Sequence, residues 1–294
     1  MRLLGIDFSM RYLYIFVLLS FGLSSCVKNN PSPIWLDISK WTLNSNPNSS
    51  VNPGQLTQNF TDVWVYIDGS VIGVFELPCK IPVLVSGSCK VTLYPTIRNN
   101  GISATKKIYP FVEPYEKTMD LVAGETYTIN PVTRYYSETK FWVEDFENST
   151  IKLTPDPISN ASLLVENNST IGSWGYYGHI PLTSADSLWV ALSTDVMYLP
   201  KSGAEVYLEV NYKNTSSILT GIISYISGSG SDNPNISMNA QSSDAVWKKI
   251  YIDLKDIVSN TPSATYYRPY FRTLLDSGLS SGDVYIDNIK VVHF

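Results

Sequence analysis

Residues Asp62–Ile67 read DVWVYI, so Val63, Val65 and Ile67 fall on one face of an extended strand and the residues between them on the other. Asp68-Gly69 follows, a pair that tolerates positive φ at the two centres of a tight hairpin, and Val71–Phe75 resumes the strand. The same unit recurs. Gly87-Ser88 separates Ile81–Val85 from Lys90–Tyr94, Asn99-Asn100-Gly101 forms another tight turn, and Gly124-Glu125 precedes Thr126–Asn130. Further on, Glu205–Tyr212 (EVYLEVNY) alternates, Ile218–Ile226 is strand-like, and Val246–Leu254 (VWKKIYIDL) alternates again. Strands of about 5–7 residues with a turn every 8–12 or so bury their apolar faces by stacking one sheet on another. A wealth of Tyr and Trp (20 and 7 residues), with only 16% charged residues, suits pleated surfaces and polar loops rather than helices. The expectation is an all-β chain of two β-sandwich domains, residues 34–133 and 134–294, with Tyr135–Lys140 at the join.

The N-terminus carries a different signal. Tyr12–Leu23 is mostly apolar over 12 residues. A membrane-spanning helix needs about 20, whereas the apolar part of an export signal needs roughly 7–15. The run ends in Leu23-Ser24-Ser25-Cys26, which resembles the lipobox of bacterial lipoproteins. That resemblance implies that residues 1–25 are a signal, that Cys26 receives the lipid anchor, and that 26–33, rich in Asn, Pro and Ser, is a tether. Asp7 is out of place in a signal, whereas Met10-Arg11 runs directly into the apolar stretch, so translation is expected to begin at Met10. Outer-membrane attachment follows. The face stays open, because Val27, Lys28 and Asn29 stand where an acidic surface-export run would be. A net charge of −5 with no basic run argues against nucleic acid as a partner.

Cys79 and Cys89 remain, an even pair in an exported chain. A bridge across KIPVLVSGS would contribute about 2.5–3 kcal/mol by chain entropy; the alternative is two buried thiols. Within Val65–Pro95 the order of strand, Asp-Gly, Ile-Gly, Pro and Gly-turn resembles PEGA-type and other transthyretin-like (Ig-like) sandwich modules, whose role is spacing or protein contact. Past the join, FWVEDFEN (Phe141–Asn148) and DVYIDNIKVV (Asp283–Val292) resemble the paired first and last strands of carbohydrate-binding modules and other galactose-binding-like jelly rolls. This implies a C-terminal jelly roll that binds polysaccharide, or, since such folds also serve without a sugar site, a contact module for an envelope protein.

Two constellations could carry that binding. Glu147, Asp287 and then Asp145, with Glu144 and Asp283 nearby, would meet if the end strands are neighbours, and a structural Ca²⁺ wants such oxygens. Otherwise these acids are solvated or paired with Lys140 and Lys290. Trp174, Tyr176 and Tyr177 lie among glycines in GSWGYYGH, a setting for exposed stacking rings as much as for core. A second cluster, Tyr266, Tyr267, Tyr270 and Phe271 beside Arg268 and Arg272, is another candidate for stacking or else alternating core, whereas Trp189 and Trp247 are expected in the core. His179 and His293 are the two histidines, and no GxSxG, HExxH or phosphate loop accompanies them. A pair of carboxylates could still hydrolyse a glycoside, but no acid stands in a recognisable motif. The reading is therefore a non-catalytic binding protein.

Overall fold

The computed structural model describes residues 31–171 and 174–294; the expected signal, Cys26 and the first part of the tether lie outside the described residues. The N-terminal unit has ten strands: β1 (Ile34–Ile38), β2 (Thr42–Leu43), β3 (Asp62–Ile67), β4 (Ser70–Glu76), β5 (Cys79–Val83), β6 (Gly87–Arg98), β7 (Lys106–Ile108), β8 (Tyr115–Leu121), β9 (Thr126–Ile129) and β10 (Val132–Thr133). They form a β5-β1-β9 sheet, a small β10-β2 pair, and a sheet of order β4-β3-β6-β7 in which β8 also pairs with β6. The hairpin read from Asp68-Gly69 is present: Ile67 faces Ser70, and both turn residues have positive φ (47° and 79°). Ile34, Leu36 and Ile38 of one sheet meet Val63, Val65, Val91 and Leu93 of the other in a single core.

That sandwich separates the cysteines. Cys79 opens β5 and pairs with Ile38 of β1, whereas Cys89 lies in β6 opposite Met119 of β8. Facing sheets pack about 10 Å apart, and a disulfide needs Cα atoms within roughly 4.4–6.8 Å. Both thiols are free, so the expected bridge is not formed. Cys89 is instead a buried core residue with its Sγ 3.9 Å from the Ser86 carbonyl.

The C-terminal unit is a jelly roll built from β11 (Lys140–Glu144), β12 (Leu153–Pro155), β13 (Leu164–Glu166), β14 (Tyr177–Thr183), β15 (Leu188–Ser193), β16 (Val206–Asn214), β17 (Ile218–Ile226), β18 (Ser229–Met238), β19 (Lys248–Asp253), β20 (Tyr266–Leu274) and β21 (Ser281–His293). One sheet runs β13-β14-β21-β16-β19, with β11 also on β21; the other runs β12-β15-β20-β17-β18. The two end segments do meet: β11 lies antiparallel to β21, from Lys140↔His293 to Glu144↔Ile289. Trp189, Leu208, Val210, Ile222, Phe271 and Ile286 are among the side chains filling the space between the sheets. Among the described residues the helical part is one 3₁₀ turn and one short segment, Lys255–Asn260, and no described helix is long and apolar enough to cross a membrane.

The outer face of the β21-β16-β19 strip is not solvent. Tyr207, Tyr251 and Val292 belong to the core of the N-terminal unit, where Tyr109 packs 4.9 Å from Tyr251 and 5.5 Å from Tyr207 between ring centroids. The Asn99-Asn100-Gly101 turn docks on β19, with Asn100 N–H donating to the Tyr251 carbonyl at 2.9 Å. At the centre is Glu209, with no solvent exposure. Its register partners are Tyr251 on β19 and Lys290 on β21. It accepts from Lys249 Nζ at 2.6 Å, from Tyr135 at 2.9 Å and from the Tyr109 hydroxyl. Lys290, also buried, donates to the Gln55 carbonyl at 2.6 Å. Burial alone would raise the Glu209 pKa, but the Lys249 and Lys290 charges, with hydrogen bonds from Lys249 and Tyr109, outweigh it and hold the carboxyl below its usual range. Lys290 is pulled down to about 7, first by burial and then by the neighbouring Lys249 cation, with Glu209 opposing.

Glu209→Gln removes a charge from a closed set, and breaking such a pair costs about 3–5 kcal/mol, to be read in urea unfolding at pH 7. A carboxyl with a depressed folded pKa confers its stability above the ordinary range of about 4.3 and loses it as pH falls through the lower folded value. The deficit of the variant is therefore expected to shrink below pH 4; a wild-type urea midpoint at pH 7 would contradict the assignment.

Candidate functional site

The N-terminal unit covers only part of that outer face. Where the cover ends, a cleft of about 680 Å³ opens between the units. Gln58, Asn59 and Arg98 come to it from the N-terminal unit; Asn211, Tyr212, Trp247, Lys248, Lys249 and Trp174 come from the jelly roll.

The position of Trp174 follows from its neighbours. Tyr176 N–H donates to Glu147 Oε1 at 2.8 Å, which ties the loop to the segment after β11. Gly175, between them, has φ +146°, and a Cβ there would lie 1.9 Å from the same Oε1. Only glycine lets the loop pass so close to the carboxylate. Trp174, 45% exposed, then stands edge-on to Trp247, at 5.9 Å between centroids and 64° between planes. Tyr176 is equally exposed but is not part of the cleft wall.

Two sequence expectations change here. Tyr177 is fully buried and unavailable to a ligand: it is the first residue of β14, its ring lies against Trp247 and Tyr285, and its hydroxyl donates to Glu166 at 3.3 Å. Trp247 is not core. It sits one residue before β19, half-buried, with Nε1 donating to the Ile171 carbonyl at 3.0 Å, and its ring lines the cleft. Trp189 does lie in the core. The alternation of VWKKIYIDL continues into β19 without marking where the strand starts, so Trp247 resembled one more strand residue.

The acids also part company. Among the described residues no group of three or more His, Cys, Asp or Glu side chains is arranged to hold a metal. Glu147 is engaged by the Tyr176 N–H, and Asp145 accepts the Glu147 N–H at 3.4 Å. Asp287, almost fully buried on β21, accepts from Asn288 N at 2.6 Å and Nδ2 at 2.9 Å. Burial raises its pKa to about 8, with Asp145 and Glu147 adding to the rise. Ca²⁺ takes about 6–8 oxygens, and the described carboxylates are not gathered into such a set. Glu144, buried, is occupied by the N–H groups of Phe146 and Lys152.

The second aromatic cluster lies on β20 in the opposite sheet. Tyr267 and Phe271 face the core, while Tyr266 stacks on Tyr225 at 4.6 Å. Tyr270 and Arg272 line a smaller groove of about 290 Å³ with Asp232 and Asp156, so this cluster is only half core. His179 stacks on Tyr285, with Nε2 2.8 Å from Asp283 and Nδ1 3.2 Å from Glu166, the latter outside hydrogen-bond geometry. Its polar neighbours are carboxylates, so nothing there has the form of a base beside a nucleophile.

No protein family matches the chain, and no curated protein matches it. Among solved structures, the chain is similar to the CBM22-2 xylan-binding domain from Paenibacillus barcinonensis Xyn10C, at 15% identity over 52% of this chain and 99% of that one, with a TM-score of 0.37. It is similar to the family 11 carbohydrate-binding module from Clostridium thermocellum, at 14% identity over 52% and 94%, TM-score 0.34. The enzymatically active domain of bacteriophage CBA120 tailspike protein 4 also resembles it, at 15% identity over 50% and 20%, TM-score 0.36. At these values the likenesses carry no argument about ligand or activity.

Melting curves recorded with a chelator and with added Ca²⁺ are expected to coincide. A melting temperature that climbs with Ca²⁺ would show that Asp145, Glu147 and Asp287 gather around an ion after all.

Proposed function

We propose that the chain is a non-catalytic saccharide-binding protein held at a bacterial membrane by lipid on Cys26, with its ligand in the cleft between the two β units. The anchor rests on the lipobox-like Leu23–Cys26. The binding reading rests on one observation above the others: Trp174 and Trp247 present two rings, at a steep angle to each other, in an open cleft rather than in the core. A ring face is negatively polarised, and the C–H face of a sugar packs against it while amide and ammonium groups nearby take the hydroxyls. Gln58, Asn59, Asn211 and Lys248 are such groups in the same walls.

The absence of acids from these walls favours binding over hydrolysis. Hydrolysis of a glycoside uses two carboxylates flanking the bond, and among the described residues no Asp or Glu lines the cleft. The groove beside Tyr270 is less than half as large and is floored by a buried ring. The N-terminal unit, whose sequence resembles spacer modules, serves here both as spacer and as one wall.

Affinity electrophoresis of the whole protein through gels containing polysaccharides tests this. Trp174→Ala is expected to weaken retention by about tenfold or more, as loss of a stacking ring does, whereas Tyr266→Ala on the opposite sheet leaves it unchanged. No retention on any polysaccharide, or a Trp174→Ala protein retained like wild type, would remove the reading.

A further inference from the structure

The charged groups lining the cleft are not balanced in sign. Arg98, Lys248 and Lys249 bring cations to its walls, and among the described residues no carboxylate lines it. Two buried donors there have no hydrogen-bond partner: Asn211 Nδ2 and Arg98 Nε. Two of the amide oxygens in its walls, by contrast, are already engaged. Asn211 Oδ1 accepts from the Thr57 hydroxyl at 3.0 Å, and Gln58 Oε1 accepts from Phe60 N–H at 2.7 Å. Arg98 has Glu76 at 3.0 Å and, beside its Nε, buried Asp62 at 3.8 Å, and Lys249 has Glu209 at 2.6 Å, but none of these acids lines the cleft. Lys248 is exposed and, among the described residues, has no carboxylate within ion-pair distance. This patch of donors stands out on a chain of net charge −5.

A neutral sugar brings hydroxyls that donate as well as accept, and carries no charge to match the cations of these walls. A carboxylate or sulfate only accepts. We infer that the ligand of this cleft is an acidic saccharide, uronate-bearing or sulfated, with its anionic group toward Lys248, Asn211 and Arg98 and an apolar ring face on Trp174 or Trp247. The inference rests on the saccharide reading above and names the class of saccharide. It also explains why both units contribute to the cleft, since Arg98 comes from one and Lys248 and the tryptophans from the other.

Binding of the whole protein is measured against polygalacturonate, dextran sulfate, neutral xylan and oligothymidylate at one fixed salt concentration. Polygalacturonate or dextran sulfate is expected to bind at least about tenfold more tightly than xylan, a gap of the size one charge-assisted contact makes. Lys248→Glu is expected to erase that gap while leaving the melting temperature unchanged, and Lys117→Glu, an equal charge change far from the cleft, is expected to preserve it. Which acidic polymer is preferred separates uronate from sulfate. Xylan bound as tightly as the acidic polymers, or Lys248→Glu without effect on them, would overturn the inference and leave the saccharide reading standing. Oligothymidylate bound as tightly as polygalacturonate would overturn it in favour of a general anion site. Failure of every polysaccharide would remove the underlying reading itself.

Discussion

A carboxylate with no access to water lies where the two β units meet. Stripped of its partners, Glu209 would carry a desolvation cost of several kcal/mol. The partners come from separate parts of the chain: Lys249 from a neighbouring strand, the Tyr109 hydroxyl from the N-terminal unit, and the Tyr135 hydroxyl from the join. Lys290 adds its charge from the other side of the strand and is itself tied to the Gln55 carbonyl. Neither unit alone completes the set. Around it, Phe60, Tyr109, Phe111, Tyr207 and Tyr251 form a continuous aromatic layer that excludes water and strengthens each of those contacts.

The cleft depends on this junction. Gln55 to Phe60 lies along the outer face of the sheet because its backbone and side chains are tied there: Lys290 to Gln55, Thr57 to Asn211 and Lys249, Asn59 to the Tyr251 hydroxyl and the Lys249 carbonyl. The same ties that close the interface at Glu209 place Gln58 and Asn59 opposite Trp247. The far wall is held independently, by Glu147 gripping the loop that carries Trp174. One wall is therefore set by interdomain packing and the other by a loop anchored within the jelly roll.

Local rules made much of the fold legible. The Asp68-Gly69 hairpin and the Asn99-Asn100-Gly101 turn are read from residues that accept positive φ, and the pairing of β11 with β21 from the likeness of the chain ends to known modules. What could not be read is whatever depends on a second unit covering a sheet. In EVYLEVNY the residues Tyr207, Glu209 and Asn211 look like a solvent face, yet all three are buried. A signal was present: in β16 Tyr207 stands on one face and Tyr212 on the other, and a strand open to water on one side rarely needs both. Trp247 was misjudged because its strand begins one residue later, and Tyr177 because the glycine-rich loop ends just before it. Arg98 lies more than a hundred residues from Asn211, and nothing local links them. The expected disulfide failed for a similar reason: short spacing along the chain did not reveal that Cys79 and Cys89 belong to opposite sheets.

Differential scanning calorimetry of the whole protein tests the central claim, that the two units share one core around Glu209 and fold as one body. The account predicts a single transition whose calorimetric and van't Hoff enthalpies agree. Two resolved transitions, each the size expected of one sandwich, would contradict it.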